Sequence, residues 1–250
     1  MSSNPSPPSL WRRLLAETVG TALLVAVVVG SGIAAEQLSP GQVGLQLLEN
    51  STATVLGLGV LILMFGPVSG AHFNPVVSLI DWALGHRAGT GLPPMEVFAY
   101  STAQIGGAII GAVLANLMYG LSAVQMSQHH RATSATLLAE TVATAGLIAL
   151  IFALARSGRG ALSAAAVGAY IGSAYWFTSS TSFANPAVTI GRMYSDTFAG
   201  IAPTSVPAFV LAQLAGAGLG AALVLALYPD VGDSADDAVV AHRARSEQSG

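Results

Sequence analysis

Two asparagine–proline pairs carry the most distinctive chemistry in this 250-residue chain. Asn74-Pro75 stands within SGAHFNPVV and Asn185-Pro186 within TSFANPAV. Asparagine is favoured just before a helix, and proline suits the first helical position, where its missing N–H is not needed. Each pair therefore predicts a helix start that follows a loop rich in Gly, Ser and Thr.

Two glutamates recur in matched apolar surroundings, Glu17 in AETVGT and Glu140 in AETVAT. A carboxyl group within an apolar span is costly and is usually functional or paired. Neither glutamate has a nucleophile or metal ligand near it in sequence, which favours structural support over catalysis. Glu17 could instead be interfacial, because two arginines precede it. Gln104 and Gln213 are expected to form hydrogen bonds between helices.

The groups that catalysis or a metal would need are sparse. The chain has no cysteine, which excludes disulfides, thiol catalysis and cysteine-based metal sites. His129 and His130 are adjacent but lack a third ligand, so a solvated loop is the expected setting. The apolar segments hold no cluster of His, Asp and Glu, and we expect no enzyme, metal or cofactor. A net charge of −3 gives no basic surface for nucleic acid.

The elements that position these residues are apolar and long. The chain is 53% hydrophobic and 8% charged, whereas soluble domains carry about 25% charged residues. Six segments are long enough to cross a hydrocarbon core of about 30 Å. They are roughly 11–35, 51–69, 96–120, 134–155, 161–179 and 204–228. Two shorter segments, 74–84 and 185–195, are near half that length as helices. The sequence predicts an all-α membrane protein with polar, disordered tails at 1–10 and 229–250.

The arginines indicate an orientation. The chain contains no lysine, and seven of its nine arginines fall on one side of a six-span arrangement. The positive-inside rule makes that side cytoplasmic. We therefore expect a protein of the cell membrane with both termini in the cytoplasm. These seven are Arg12, Arg13, Arg87, Arg156, Arg159, Arg243 and Arg245.

The two halves of the chain repeat each other. AETVGT recurs as AETVAT, SGAHFNPVV as TSFANPAV, and AQIGGAIIG as AQLAGAGLG, in the same order. Each repeat, about 11–120 and 134–228, holds three spans, so the second must insert inverted relative to the first. Inverted repeats with paired broken helices are typical of channels and transporters. The paired glycines of the third motif predict close helix packing.

Two half-helices entering from opposite sides would meet at the bilayer centre through their N-termini. Each helix dipole places about half a positive charge there. A cation that loses its water faces a desolvation cost on the order of 20 kcal/mol with no compensating charge. A neutral solute needs only hydrogen bonds, which the amides of Asn74 and Asn185 can donate. Such a pore passes neutral polar molecules and excludes cations and protons.

The two loops resemble the signature loops of the aquaporin, or major intrinsic protein, family, and the resemblance covers about residues 11–228. It implies an hourglass of six tilted helices and two re-entrant half-helices, assembled as a homotetramer with one pore per subunit. Asn74, Pro75 and Val76 match one motif, with valine where alanine is usual, and Asn185, Pro186 and Ala187 match the other. The family also implies that Glu17, Glu140 and His72 brace the loops.

The resemblance implies a second constriction at four positions, which counting from the asparagines assigns to Thr54, Ser173, Ser182 and Val188. Val188 stands where the family usually has arginine. Valine supplies neither the fixed charge nor the hydrogen-bond donors of arginine. No bulky aromatic or histidine replaces them, so we expect a wide, weakly charged filter. This combination is similar to a bacterial subgroup found with arsenic-resistance functions.

Arg192 lies one helical turn beyond Val188 and on the same face. It could replace the missing arginine at the pore mouth. Alternatively, it could extend to the headgroups or pair with Asp196.

The sequence thus predicts a passive channel in the lipid bilayer for small neutral solutes. Candidates are glycerol, urea, undissociated metalloid acids such as arsenite or methylated arsenicals, and water. A secondary transporter remains an alternative because broken helices also suit alternating access. A narrower water-selective channel is another alternative.

Overall fold

The computed structural model describes residues 8–86 and 89–228. Within those ranges the ordered elements are helices, and no strand is present. Nearly all of the two predicted tails, together with Arg87, Arg243 and Arg245, lie outside the described residues.

Eight α-helices make up the fold. They are α1 Leu10–Leu38, α2 Val43–Ser69, α3 Pro75–Gly85, α4 Pro94–Met118, α5 Ser134–Arg156, α6 Ser163–Phe177, α7 Pro186–Arg192 and α8 Val206–Leu227. Five of them are long and apolar enough to cross a membrane: α1, α2, α4, α5, and α8 with the 3-10 turn before it. Helix α6 has 15 residues and continues the 3-10 turn Gly160–Leu162, which together occupy the remaining predicted segment. The prediction of an all-α membrane fold with two short helices is confirmed.

Glycines bring the paired helices of each repeat into close contact. In the first repeat α1 packs on α4, and in the second α5 packs on α8. A Cβ atom added at any of four glycines would overlap a backbone oxygen of the facing helix. The facing pairs are Gly107 with Thr18, Gly111 with Ala22, Gly216 with Thr141, and Gly220 with Ala145. Only glycine permits this backbone approach, as the small-residue motifs predict.

The two short helices lie inside the bundle. Helix α3 packs against α4 and α8, and α7 packs against α4, α8 and α1. Helix α7 has seven residues and ends at Arg192, so the predicted extent to residue 195 is too long. It stops there because the chain turns, and the carbonyls of Met193 and Tyr194 accept hydrogen bonds from Ser127 and Gln125 in the loop between α4 and α5.

Candidate functional site

The two asparagines start the short helices and also join them. The Asn74 side chain accepts a hydrogen bond from the Val76 N–H at 3.1 Å, and Asn185 accepts from Ala187 at 2.9 Å and Val188 at 3.2 Å. Each amide nitrogen donates across to the other loop: Asn74 to the Ala184 carbonyl at 2.8 Å and Asn185 to the Phe73 carbonyl at 2.7 Å. An amide nitrogen carries two hydrogens, so each asparagine keeps one N–H for a solute.

The loops before the two helices contain non-glycine residues in the left-handed region. These are Ala71, Phe73, Thr181, Ser182 and Ala184, with φ between 48° and 61°. Such a conformation costs on the order of 1–3 kcal/mol per residue, so the surroundings must hold it.

Two fully buried glutamates hold these loops. Glu17 on α1 accepts hydrogen bonds from the backbone N–H groups of His72 at 3.0 Å and Phe73 at 2.7 Å. Glu140 on α5 accepts from those of Phe183 and Ala184, both at 2.9 Å. These bonds satisfy N–H groups that would otherwise be unpaired at membrane depth.

The matched glutamines connect each glutamate to its short helix. Gln104 on α4 donates to Glu17 at 2.7 Å and to the Ser78 hydroxyl at 3.1 Å. Gln213 on α8 donates to Glu140 at 2.7 Å and to the Thr189 hydroxyl at 2.8 Å. His72 lies 3.0 Å from Ser78 and is 7% exposed, so it packs within the loop.

One cavity runs past both asparagines. Its apolar wall comes from α1, α2, α5 and α6 and from one valine on each of α3 and α7, and the two loops supply much of its polar wall. The apolar wall follows the internal repeat, because Leu24 and Leu147 are equivalent, as are Val28 and Ile151, Leu58 and Val167, Ile62 and Ile171, and Val77 and Val188. The polar lining residues are Thr54, His72, Asn74, Tyr175, Ser182, Asn185 and Arg192.

Three of the four predicted filter residues line this cavity, namely Thr54, Ser182 and Val188. Ser173 does not: it is exposed, and its hydroxyl bonds to the Tyr170 carbonyl within its own helix. Tyr175 lines the cavity instead, with its hydroxyl 3.2 Å from that of Thr54, so the expectation that no bulky aromatic faces Val188 is wrong. Two residues along a helix correspond to a rotation of about 200°, which puts Ser173 on the opposite face.

The sequence contains a signal for Tyr175 that counting back from Asn185 misses. Val167 and Ile171 line the cavity and repeat at a spacing of four, and the next step reaches Tyr175. Residues four apart share one helix face. Thr54, Leu58 and Ile62 follow the same rule on α2.

Arg192 is 3% exposed and lines the cavity beside Val188. Its Nε donates to the Ala199 carbonyl, and its guanidinium carbon lies 3.5 Å from the centre of the Phe183 ring. The alternative pairing with Asp196 is absent, because that carboxyl accepts instead from the Gln128 N–H at 2.8 Å. The extension towards headgroups is absent as well, since the side chain is buried.

A second arginine bonds to the same loop at residues 198–200. Arg131 donates to the Gly200 carbonyl at 2.6 Å and to the Phe198 carbonyl at 2.8 Å, and it lies 5.5 Å from the Phe183 ring centre. Burial in this loop lowers the pKa of the Arg131 guanidinium, an effect that the nearby Tyr175 and Glu140 partly oppose. Across the described residues, no group of three side chains is suited to hold a metal ion.

Comparison with known proteins gives consistent matches. Residues 5–183 match the family model described as major intrinsic protein. The chain is 49% identical to the aquaglyceroporin AqpS of Rhizobium meliloti, over 87% of this chain and 89% of that one. It is 33% identical to the glycerol uptake facilitator protein of Pseudomonas aeruginosa, over 88% and 90% respectively. Its fold is similar to the crystal structure of the aquaglyceroporin from Plasmodium falciparum, with a TM-score of 0.61 and 20% identity over 89% of this chain and 97% of that one.

Proposed function

Because the chain belongs to the major intrinsic protein family, whose aquaglyceroporins are channels and not enzymes, we propose that the cavity past both asparagines conducts small neutral solutes through an amphipathic filter. That the protein is a membrane channel for small neutral solutes such as glycerol follows from the family and its relatives. The finer proposal concerns the filter residues and the solutes that they select.

One observation carries the proposal: beyond the two asparagines, the cavity has a polar wall on one side and an apolar wall on the other. Thr54 and Tyr175 place a pair of hydroxyls on the wall formed by α2 and α6. Val188 presents a methyl surface from α7. A solute that has oxygens on one side and carbon or methyl on the other can satisfy both walls. Glycerol and methylated arsenicals have this character, and urea, undissociated arsenite and water are neutral and small enough to accompany them.

Replacing Val188 with arginine is expected to narrow the filter. The longer side chain projects into the cavity opposite Thr54 and Tyr175 and displaces solute volume. We expect glycerol permeability to fall at least about tenfold, equivalent to about 1.4 kcal/mol of added barrier. Stopped-flow light scattering of proteoliposomes under glycerol, urea, arsenite and water gradients measures the change.

Val188→Ala serves as the neutral control, since the smaller side chain adds no charge and should leave glycerol flux equal or higher. Water permeability should fall less than glycerol permeability in Val188→Arg, because water needs the smaller opening. An unchanged solute profile in Val188→Arg would remove this residue from the filter.

Tyr175 and Ser173 provide a direct test of the filter position on α6. Tyr175→Ala removes the bulk and the hydroxyl that face Thr54, so glycerol and urea permeabilities should rise by roughly two- to fivefold, equivalent to less than about 1 kcal/mol. Ser173→Ala should leave both permeabilities at the wild-type value, because its hydroxyl bonds within its own helix away from the cavity. The same stopped-flow assay compares them, and the reverse ranking would return Ser173 to the filter.

A secondary transporter needs ionisable groups in the pathway that bind and release a coupling ion. Among the described residues that line the cavity, the ionisable side chains other than Tyr175 are His72 and Arg192, and no carboxyl group is present. This lining supports passive conduction over coupled transport. Solute flux that depends on an imposed proton or sodium gradient would favour the transporter.

We infer a homotetramer with both termini on the cytoplasmic side. Large apolar side chains are exposed on the outer surfaces of α2, α4 and α8, where lipid or neighbouring subunits would cover them. The arginine distribution supports the orientation. Cross-linking in native membranes measures the subunit number.

A further inference from the structure

We propose that Arg192 is the displaced cationic residue of this filter: it donates hydrogen bonds to the solute and supplies the positive charge that repels cations. The proposal rests on the proposed function, because it assumes that the cavity is the conduction path. It assigns the specificity of the outer half of the pore to a residue one turn beyond the family's usual filter position.

The bonding of Arg192 leaves donors free. A guanidinium carries five N–H groups, one on Nε and four on the two terminal nitrogens. Nε bonds to the Ala199 carbonyl. The terminal nitrogens have no hydrogen-bond partner anywhere in residues 8–86 and 89–228. The residue is nevertheless only 3% exposed and lines the cavity. Those four N–H groups are therefore available to a molecule inside the cavity.

An aromatic ring, and not a carboxylate, lies against the guanidinium of Arg192. No carboxyl group of the described residues forms an ion pair with it, and the Phe183 ring stacks on it at 3.5 Å. Glu140, the nearest buried acid of this repeat, is occupied by two backbone N–H groups and by Gln213. A buried, unneutralised charge is costly at membrane depth, and such groups typically mark an ion or substrate pathway.

The position of Arg192 would allow cations to be excluded although valine stands at the usual arginine position. The repeat pairs Val188 with Val77, so the cavity presents a valine on each side of the asparagines. The next turn of α7 then adds a guanidinium at the outer end. A solute would meet the methyl groups of Val188 and the guanidinium of Arg192 in succession, one helical turn apart.

The alternative is that Arg192 only anchors the loop at residues 198–200. Arg131 provides the matched control, because it makes two hydrogen bonds to that loop and contacts the same ring but does not line the cavity. A purely structural role predicts similar effects from both substitutions. A role in conduction predicts an effect on ion exclusion from Arg192 alone.

The experiment compares Arg192→Gln, Arg192→Lys and Arg131→Gln in proteoliposomes. Proton leak is measured with a trapped pH dye under a valinomycin-clamped potential, and glycerol, urea and water permeabilities by stopped flow. We expect Arg192→Gln to raise proton leak at least about tenfold. Arg192→Lys keeps the charge and should retain ion exclusion, but it loses the planar fork and should change the glycerol-to-urea permeability ratio at least about twofold. Arg131→Gln should keep the wild-type leak and ratio.

Equal leak in Arg192→Gln and wild type would overturn the proposal, as would equal increases in Arg192→Gln and Arg131→Gln. If Arg192→Gln does not yield folded protein, Arg192→Lys decides, and an unchanged glycerol-to-urea ratio overturns the proposal. These failures are distinct from failure of the proposed function. Wild-type protein without solute flux would overturn the latter, whereas normal flux with an indifferent Arg192 would leave it intact.

Discussion

Glu17→Ala is expected to abolish solute conduction and to prevent recovery of folded protein. The Glu17 carboxyl accepts four hydrogen bonds, from the backbone N–H groups of His72 and Phe73 and from the side chains of Ser69 and Gln104. Each buried donor left without a partner costs roughly 1–3 kcal/mol. The sum rivals the net stability of 5–15 kcal/mol that is common for folded proteins.

The repeat provides an internal ranking for this prediction. Glu140 accepts three hydrogen bonds, so Glu140→Ala should be severe but less so than Glu17→Ala. Glu96 is the control: its 2.7 Å ion pair with Arg13 is partly exposed, and Glu96→Ala should cost about 1 kcal/mol or less. Thermal unfolding in detergent and stopped-flow flux give both readouts. A Glu17→Ala protein that melts and conducts like Glu96→Ala would contradict the assigned role.

Gly111→Ala is expected to separate α1 from α4 and to lower both yield and conduction. The added methyl group would overlap the backbone oxygen and Cα of Ala22, which cannot move without displacing the whole helix. Overpacking of this kind costs about 1–3 kcal/mol, and each kcal/mol lowers the melting temperature by roughly 2–4 °C for a chain of this size. We therefore expect a decrease of roughly 2–12 °C.

Gly106 and Gly218 are matched controls on the same helices as Gly111 and Gly220. A Cβ atom added at either control position meets nothing within 4 Å. Alanine there should leave conduction unchanged and should hold or slightly raise the melting temperature, because alanine favours helix over glycine by about 1 kcal/mol. Equal melting of Gly106→Ala and Gly111→Ala in detergent would show that the close contact does not contribute to stability.

Most of the fold could be predicted from the sequence because its signals are local or duplicated. The asparagine–proline pairs define both half-helix starts at the observed residues, since capping depends on a few adjacent residues. The end of α7 could not be predicted in this way. It depends on Gln125 and Ser127, which bond to the turn that follows Arg192 and lie almost 70 residues before their partners Tyr194 and Met193.

The filter shows where counting along the sequence fails. Thr54 and Val188 line the same cavity and Ser173 does not, because the loop from Thr178 to Ala184 contains three left-handed residues. Such a loop makes the rotation of α6 about its axis independent of the distance to Asn185. The sequence likewise does not predict the partners of Arg192, because they are a carbonyl and an aromatic ring and not an acidic side chain.

The hydrogen bonds that hold the first loop to Glu17 and those that join the two loops can form at different times during synthesis. All four donors to Glu17 lie between residues 69 and 104, so the first loop can be held before the second repeat exists. The amide of Asn74 and the carbonyl of Phe73 instead wait for residues 184 and 185. The nascent first half therefore carries two unpaired polar groups at membrane depth, which must be sheltered by the insertion machinery or by water until the second half arrives. These cross-loop hydrogen bonds can therefore form only after the second half has been inserted.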